Sequence, residues 1–362
     1  MKKVLVGLLA LLLCFSFVAC GEKNPSGSEN SVPPEVETSQ PDDTAQPTLP
    51  DRDKKTCLIS DSSMAADFDQ VIWRGFTMLE AGGWNVKCIE ALDQAEYEED
   101  IYAMAEAGYK LIYIKGDAIA SVLIDIADSF HEMYPDVYFI LIDSYLDHDL
   151  EFATAVPVDP YESSFVGGFV ASLMSETGNI GWIGHMDTIN LARFRNGYTA
   201  GAKYANPDTE VVIGFTGDFY DPIKGQEATY AMNKNYPNVD IIAHAAYISG
   251  NGVLSACEEL GIPCIGCDNW QGDKGDTVFW STLKSVDLMV YGTANRWLNH
   301  EETQFGTKMS FNIAAGSVPF DTRDLSALPA DVQSKVEELM AGIKDGSVDV
   351  FYGEYAEYKL DY

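Results

Sequence analysis

One stretch of the sequence, CIGCDNWQGDKGD at positions 264–276, contains three kinds of side chain that can do chemistry. Its two cysteines are spaced as C-x-x-C, which is typical of zinc sites and redox centres. Its aspartates at 268, 273 and 276 resemble the carboxylates of a calcium loop. A third interpretation is a buried strand that delivers Asp268 to the rim of a ligand cleft.

The residue order favours the third interpretation. Side chains of a strand alternate between its faces, so Cys264 and Cys267 are expected to point to opposite sides. Zinc needs two further ligands, and none is spaced nearby in the sequence. Trp270 stands where a calcium loop needs an oxygen ligand, and no glutamate closes the loop. We therefore expect no metal and no cofactor, and we assign Asp268 to a cleft.

The surrounding sequence alternates short apolar runs with amphipathic, helix-like segments. Strand-like runs in the first half lie at 55–60, 85–91, 110–116 and 137–143. Those in the second half lie at 179–185, 210–217, 239–245 and 263–268. Short runs rich in Val and Ile, with helices between them, predict parallel sheets. The sequence therefore predicts two doubly wound α/β lobes with a ligand cleft between the carboxyl ends of their strands.

The last part of the chain predicts a return between the lobes. After another strand come a helix near 287–300, a strand-like run at 306–320 and a helix at 330–344. We assign residues 53–160, with part of 287–325, to the N-terminal lobe. The C-terminal lobe then comprises 161–286 and about 326–362.

The first twenty residues predict export. Two lysines precede an apolar run at 4–17 that is too short to span a bilayer. The run ends in FVAC, small residues before a cysteine, which predicts a lipoprotein signal peptide over 1–19 and lipidation of Cys20. An ordinary signal peptide cleaved near Ala19 is the alternative. We expect a protein that is lipid-anchored at the extracytoplasmic face of the cell membrane.

Residues 20–52 predict a disordered tether that begins at the lipidated cysteine. They are rich in Pro, Ser, Asp and Glu and hold few large apolar residues, so they cannot bury enough surface to offset the entropy of ordering. The formal net charge of the chain, −33, repels phosphate backbones and argues against a nucleic-acid partner. Attachment to an anionic membrane must then come from the lipid anchor.

The remaining residues argue against several other chemistries. Neither a G-x-S-x-G hydrolase motif nor a G-x-x-x-x-G-K-[ST] phosphate loop occurs, and a carboxylate-pair enzyme using Asp143 and Asp268 is disfavoured. His185 follows a glycine turn and is interpreted as an exposed loop residue, with a hydrogen bond to a ligand as the alternative. An odd number of cysteines argues against a disulfide framework, although one Cys57–Cys88 bridge between neighbouring strands stays open.

Five phrases in a fixed order carry a family resemblance. They are ASLMSETGNIGWIG (171–184), RFRNGYTAGAKYANP (193–207), GFTGDFYDPIKGQEA (214–228), GCD (266–268) and STLKSVD (281–287). Together they resemble the basic membrane protein family, the substrate-binding lipoproteins of ABC importers. The resemblance implies a type I periplasmic-binding-protein fold, a purine nucleoside as ligand and an ABC permease as partner. A sensory lipoprotein of the same fold with another ligand is the alternative, and neither is an enzyme.

The resemblance also implies which residues meet the ligand. It implies that Phe68 and Phe219 stack on the base and that Asp143 faces the base. It also places a glycine turn against the ligand at Gly184, and a ribose-binding pair at Asp268 and Lys284. Stacking on an aromatic face is worth ~1–3 kcal/mol per base. An ionised aspartate accepts both vicinal hydroxyls of a ribose.

Two positions depart from the family pattern. Asp69 stands where the family has asparagine, and an ionised Asp can only accept hydrogen bonds. If it faces the ligand, guanosine, adenosine or a related aminated heterocycle fits better than inosine. Trp270 stands where the family usually has a polar residue, and it serves either as an extra stacking residue or in packing between the lobes.

Overall fold

The computed structural model describes residues 51–359. The predicted signal peptide, the predicted lipidation site Cys20 and the predicted tether up to residue 50 lie outside this range. Arg52, at the end of the predicted tether, packs against the fold. Its guanidinium lies 4.4 Å from the centre of the Trp297 ring and 2.5 Å from a carboxylate oxygen of Glu302. Within 51–359 no helix combines the length and apolar character needed to cross a bilayer.

The first lobe is built on a five-stranded parallel sheet. Its strands are β1 (Lys55–Ser60), β2 (Asn85–Glu90), β3 (Leu111–Lys115), β4 (Tyr138–Ile142) and β5 (Ala153–Val156). Their order across the sheet is β2-β1-β3-β4-β5. Helices α1 (Asp67–Ala81), α2 (Tyr97–Glu106) and α3 (Asp117–Met133) connect the first four strands. All residues of β4 are buried, since helices cover both faces of the sheet.

The second lobe repeats this plan. Its strands are β6 (Asn179–Gly184), β7 (Glu210–Phe215), β8 (Ile241–Ala245), β9 (Cys264–Asp268) and β10 (Val278–Leu283), in the parallel order β10-β9-β8-β6-β7. Its helices are α4 (Tyr161–Met174), α5 (Ile189–Ala205), α6 (Pro222–Asn235) and α7 (Gly250–Leu260). The prediction of two doubly wound parallel lobes is confirmed. Strand β5 was missed because a run of four residues carries too little pattern.

The remaining helices connect the lobes. Helix α8 (Val286–Leu298) packs against α1 of the first lobe so closely that a Cβ on Gly75 would lie 2.8 Å from the Asp287 carbonyl oxygen. Helices α9 (Thr322–Ala327) and α10 (Ala330–Asp345) follow, and α10 packs on α4 of the second lobe. The last part of the chain thus contributes to both lobes.

The run at 306–320 does not form the predicted strand. It makes one isolated parallel bridge, between Lys308 and Ala155 at the edge of the first sheet. Further on, the Pro319 carbonyl oxygen accepts from the Leu283 amide of β10 (2.9 Å). The run has to leave one sheet and reach the other, so it pairs with each sheet only briefly.

The five cysteines within 51–359 are free thiols. The suggested Cys57–Cys88 bridge does not form, because Cys57 lies opposite Lys87 and Cys88 opposite Leu58. One position of offset points the two cysteines to opposite faces of the sheet. Cys264 and Cys267 likewise pack into different apolar clusters on the two sides of β9.

Candidate functional site

A cavity of about 450 Å³ lies between the two lobes. Most of the side chains that line it come from the carboxyl ends of strands, where the loops of the two sheets face each other. From the first lobe these are Asp61, Ser62, Phe68, Lys115 and Asp143. From the second they include His185, Phe194, Phe219, Tyr247, Asp268 and Lys284. The position agrees with the rule that open α/β sheets bind ligands outside the carboxyl ends of their strands.

Two aspartates of the cavity have strained backbones. Asp143 follows β4 with φ 53°, and Asp268 ends β9 with φ 65°. Residues other than glycine adopt this left-handed region at a cost in free energy, and aspartate is among those that tolerate it best. Both carboxylates are thereby turned from the sheet into the cleft, where the fold concentrates its polar groups.

Lys284 joins the two lobes at this end of the cavity. Its Nζ lies 2.5 Å from Oδ2 of Asp143, whose other oxygen accepts from the backbone N–H of Val158 (3.2 Å). Burial raises the pKa of Asp143, and the ammonium of Lys284 opposes that rise. The charge of Asp143 is therefore largely neutralised within the protein.

Asp268 lies beside this pair but is not tied into it. Among the described residues, its carboxylate is approached by only one donor, the weak thiol of Cys267. Burial raises the pKa of Asp268 to about 6, against the opposing effect of Lys284. The cavity thus holds a half-buried carboxylate with free acceptor capacity.

A second cluster of charges stands on the first lobe. Nζ of Lys115, which ends β3, lies 2.8 Å from Oδ1 of Asp61, 2.7 Å from Oγ of Ser62 and 3.5 Å from Oδ1 of Asp69. Burial lowers the pKa of Lys115, but the Asp69 and Asp61 charges outweigh this and raise it. Sequence reasoning missed Lys115, although a lone lysine closing the apolar run LIYIK is a usable signal.

The structure places Asp69 behind the cavity wall. The side chain is completely buried, and its oxygens accept from the hydroxyls of Ser62 (2.7 Å) and Tyr247 (2.9 Å). Asp69 therefore does not face the cavity in this structure, as its expected effect on ligand choice would require. Helix α1 begins at Asp67, and its first turn points Asp69 inward between the lobes.

Aromatic rings line both sides of the cavity. Phe68 lies on the first lobe, with Nζ of Lys284 5.1 Å from its ring centre. On the second lobe His185 stacks on Phe219, with ring centres 3.8 Å apart and planes at 30°. The interpretation of His185 as an exposed loop residue is wrong, because its side chain is only 8% exposed. Burial lowers its pKa to about 4, so the imidazole is neutral near pH 7.

Two predicted site residues lie outside the cavity. Gly184 is enclosed by packing, since a Cβ there would come within 2.6 Å of the Trp182 ring. Trp270 points to an outer groove, where its Nε1 donates to Asp324 (2.9 Å) and the Arg323 guanidinium lies 3.5 Å from a ring centre. The chain reverses after Asp268 and directs Trp270 away from the cleft. Trp270 therefore does not line the cavity in this structure.

Metal coordination has no support from this geometry. Within residues 51–359 no group of three or more His, Cys, Asp or Glu side chains is arranged to hold an ion. The polar groups of the cavity pair instead as lysine with aspartate. This arrangement suits hydrogen bonding to a small organic molecule.

Comparisons with known proteins place the chain in a family. Residues 57–350 match the family model described as ABC transporter substrate-binding protein PnrA-like (Bmp). A CD4+ T-cell-stimulating antigen of Listeria monocytogenes is 26% identical over 324 residues, covering 83% of this chain and 88% of the relative. The ABC transporter nucleoside-binding protein BmpA of Lactococcus lactis is 25% identical over 327 residues, covering 82% and 89%.

A solved structure shares the fold. A crystal structure of ABC transporter system solute-binding proteins from Aeropyrum pernix superimposes with a TM-score of 0.66 at 21% identity, covering 82% of this chain and 92% of that one. The family model spans nearly the whole of the two-lobed fold, and the resemblance stated from the sequence is thereby confirmed. The chain belongs to the Bmp family of PnrA-like, substrate-binding proteins of ABC transporters.

Proposed function

We propose that this protein captures a nucleoside, with purine nucleosides favoured, between its two lobes and delivers it to an ABC permease. The observation that carries the proposal is the Asp268 carboxylate, which faces the cavity without a strong donor from the described chain. The two vicinal hydroxyls of a ribose supply the donors that it lacks. A relative of the same family is named as a nucleoside-binding protein.

The aromatic residues fit the other half of such a ligand. Phe68 on one lobe and the His185–Phe219 stack on the other offer flat faces to a planar base. A cavity of about 450 Å³ lies within the usual range of sites for small molecules. The base of a nucleoside fits the aromatic rings of this site, and its ribose fits the neighbouring carboxylate.

The charges of the site favour an uncharged ligand. The carboxylates of Asp61, Asp69, Asp143 and Asp268 outnumber the ammonium groups of Lys115 and Lys284 in and behind the walls. This field repels phosphate groups, so the proposal covers nucleosides and not nucleotides. Since Asp69 accepts from Tyr247 and does not line the cavity, its side chain gives no reason to prefer aminated purines to inosine.

The cavity supports binding without chemistry. A carboxylate-pair enzyme needs one group to act as an acid and another as a base or nucleophile. Here Asp143 is occupied by Lys284 and Val158, which leaves Asp268 as the untied partner. We therefore propose a receptor rather than an enzyme, anchored by a lipid on Cys20 at the extracytoplasmic face of the membrane.

The apolar packing of the last helices supports the proposed division of the chain into two lobes. Helix α8 contributes Met289 and Val290 to an apolar cluster of the first lobe, and α10 contributes Val336 and Leu339 to one of the second. We propose that ligand binding closes residues 53–160, with part of 287–325, against 161–286, with about 326–362. A ligand shifts this equilibrium only through tighter binding to the closed form.

Thermal shift and calorimetry on the full chain test the function. Guanosine, inosine, adenosine, cytidine and ribose are compared for wild type, Asp268→Ala and the control Asp273→Ala, an exposed aspartate on the same loop. We expect at least one purine nucleoside to raise the melting temperature of wild type and the control, but not of Asp268→Ala. If no nucleoside raises the wild-type melting temperature, the proposed function is wrong.

A further inference from the structure

Helix α1 of the first lobe contacts the second lobe along one side of the cleft. Asp67 accepts from Nε2 of Gln271 (2.9 Å) and Nζ of Lys274 (2.5 Å), and Arg74 donates to Oδ1 of Asn269 (2.8 Å). These partners follow strand β9. Between them, Asp69 accepts from the hydroxyl of Tyr247, which follows β8 (2.9 Å). The contacts are made entirely by side chains of the protein.

Asp69, which accepts from Tyr247, is more deeply buried than Asp67 and Asn269, the acceptors in the other three hydrogen bonds. Asp67, Lys274 and Arg74 are partly exposed, whereas the Asp69 side chain is completely enclosed. The other donors to Asp69 come from its own lobe, namely Ser62 and the more distant Lys115. Tyr247 is thus the one donor that the described part of the second lobe supplies to this buried charge.

The backbone holds Tyr247 in place for this contact. Its φ of 53° lies in the left-handed region, which costs a bulky residue free energy unless the surroundings enforce it. The turn is fixed by Ser249, whose amide donates to the Phe219 carbonyl oxygen (2.9 Å) and whose hydroxyl donates to the Ala246 carbonyl oxygen (2.6 Å). The edge of Tyr220 packs against the Tyr247 ring, with ring centres 5.7 Å apart.

A glycine would adopt the backbone conformation of residue 247 without strain. We therefore infer that the contacts of the Tyr247 side chain offset the free-energy cost of its positive φ. Burial, followed by the charge of Asp69, raises the pKa of Tyr247 well above its usual value. The hydroxyl is therefore protonated at any physiological pH and remains a donor. Tyr247 also lines both the main cavity and a second one of about 320 Å³, which share Phe68 and Asp268 as well.

We propose that Tyr247 and Asp69 form a built-in latch that stabilises the closed cleft independently of ligand. The inference rests on the capture mechanism proposed above and assigns Asp69 to closure instead of recognition. The Tyr247 hydroxyl satisfies Asp69 and leaves Asp61, Asp143 and Asp268 as the carboxylates that line the cavity.

Single-molecule fluorescence transfer between the lobes tests the latch without ligand. Dyes are attached to genetically encoded azides at exposed positions Glu98 on α2 and Lys234 on α6 of the full chain, which avoids the native thiols. Tyr247→Phe keeps the ring and removes only the donor. Tyr236→Phe, at an exposed tyrosine of the same lobe, is the matched control.

We expect Tyr247→Phe to lower the closed-to-open ratio of the ligand-free protein by about tenfold, as befits a hydrogen bond to a charged acceptor. The control keeps the wild-type distance distribution. Asp69→Asn lowers the ratio less, because its amide oxygen still accepts. In that background Tyr247→Phe has a reduced effect, since the two residues are coupled. An unchanged distribution in folded Tyr247→Phe overturns the latch.

Adding guanosine separates the latch from the proposed function. If guanosine closes the wild-type cleft and Tyr247→Phe does not alter the ligand-free distribution, the latch is wrong and the function stands. If no nucleoside closes the wild-type cleft while Tyr247→Phe opens it, the function is wrong and the latch stands. Should Tyr247→Phe fail to fold, the Asp69→Asn distribution decides, and a wild-type result there overturns the latch.

Discussion

The Nζ atom of Lys284 lies 2.5 Å from Oδ2 of Asp143, although one residue follows the last strand of the second sheet and the other follows a strand of the first. Both side chains are more than four-fifths buried. The pair therefore fixes the two lobes at the end of the cavity where Asp268 lies. Lys284 is also the cation that favours the ionised forms of both Asp143 and Asp268 at this end of the cavity.

Removing Lys284 should destabilise the protein strongly. In Lys284→Met the Asp143 carboxylate is left buried without its counter-charge, and breaking a buried pair costs ~3–5 kcal/mol. The loss should be larger at pH 7.5 than at pH 5, because burial raises the pKa of Asp143 and a protonated carboxyl needs no counter-charge. Chemical denaturation at the two pH values measures the difference.

Lys110→Met is the matched control for this substitution. Lys110 pairs with Asp136 at 2.7 Å, but both side chains are well exposed. Exposed pairs contribute ~0–1 kcal/mol, so little change is expected. Equal losses in the two variants would show that the Lys284–Asp143 pair is not a buried constraint.

Replacing Asp268 with asparagine should separate stability from binding. The amide keeps the shape of the side chain but carries no charge that burial penalises. We expect Asp268→Asn to melt at or above the wild-type temperature at pH 7.5 and to lose affinity for purine nucleosides by about 100-fold, the equivalent of one or two charged hydrogen bonds. Calorimetry gives both quantities on one sample, and unchanged affinity would remove Asp268 from the site.

The stability of the ligand-free protein should fall as Asp268 ionises. Burial raises its pKa to about 6, above the value of an unfolded chain, so its stabilising contribution is complete below about pH 4. That contribution is lost as pH rises through about 6. We expect the melting temperature of wild type, relative to Asp268→Asn, to decrease between pH 4 and pH 7.

Nucleoside affinity should change in the opposite direction. Only the ionised carboxylate of Asp268 accepts two hydroxyl donors, so affinity for guanosine should increase from pH 5 to pH 6.5 and level off above that. His185 is neutral throughout this window, because burial lowers its pKa to about 4. A flat profile for wild type, or an equal slope in Asp268→Asn, would contradict this assignment.

The stacked pair of His185 and Phe219 should contribute to binding through its flat face. His185→Ala removes the ring that covers Phe219 and should weaken nucleoside binding about tenfold, within the ~1–3 kcal/mol of base stacking. His185→Phe keeps a ring and should retain most of the affinity. The exposed His131 provides a control as His131→Ala. If His185→Phe binds as poorly as His185→Ala, a hydrogen bond from the imidazole matters more than stacking.

The pattern of apolar runs predicts every described strand of the two sheets except β5. Buried parallel strands such as β4 and β9 are short and apolar throughout, and this local composition is visible without knowledge of the partner strands. The same reasoning placed Asp143 and Asp268 at strand ends and separated Cys264 from Cys267. Family phrases then identified the substrate-binding family, which the comparison confirms.

The sequence could not predict the direction in which the side chains near the cleft point. Trp270 is two residues from Asp268, yet one left-handed residue turns the chain so that the tryptophan faces an outer groove. The sequence placed Asp69 next to the cleft, but only the approach of Tyr247, 178 positions away, makes it a buried inter-lobe contact. The sequence does not reveal that Phe219, from another loop, covers His185 and leaves it buried.

What the sequence alone determined is therefore most of the helices and strands and the edge of each sheet where polar residues collect, since both follow from local periodicity. The tertiary structure decided which of those polar residues face the cavity and which satisfy each other, including the lysines at positions 115 and 284. Hydrogen bonds and burial depend on distances between distant segments, and no local pattern encodes those distances. The contacts that close the cleft are of this kind.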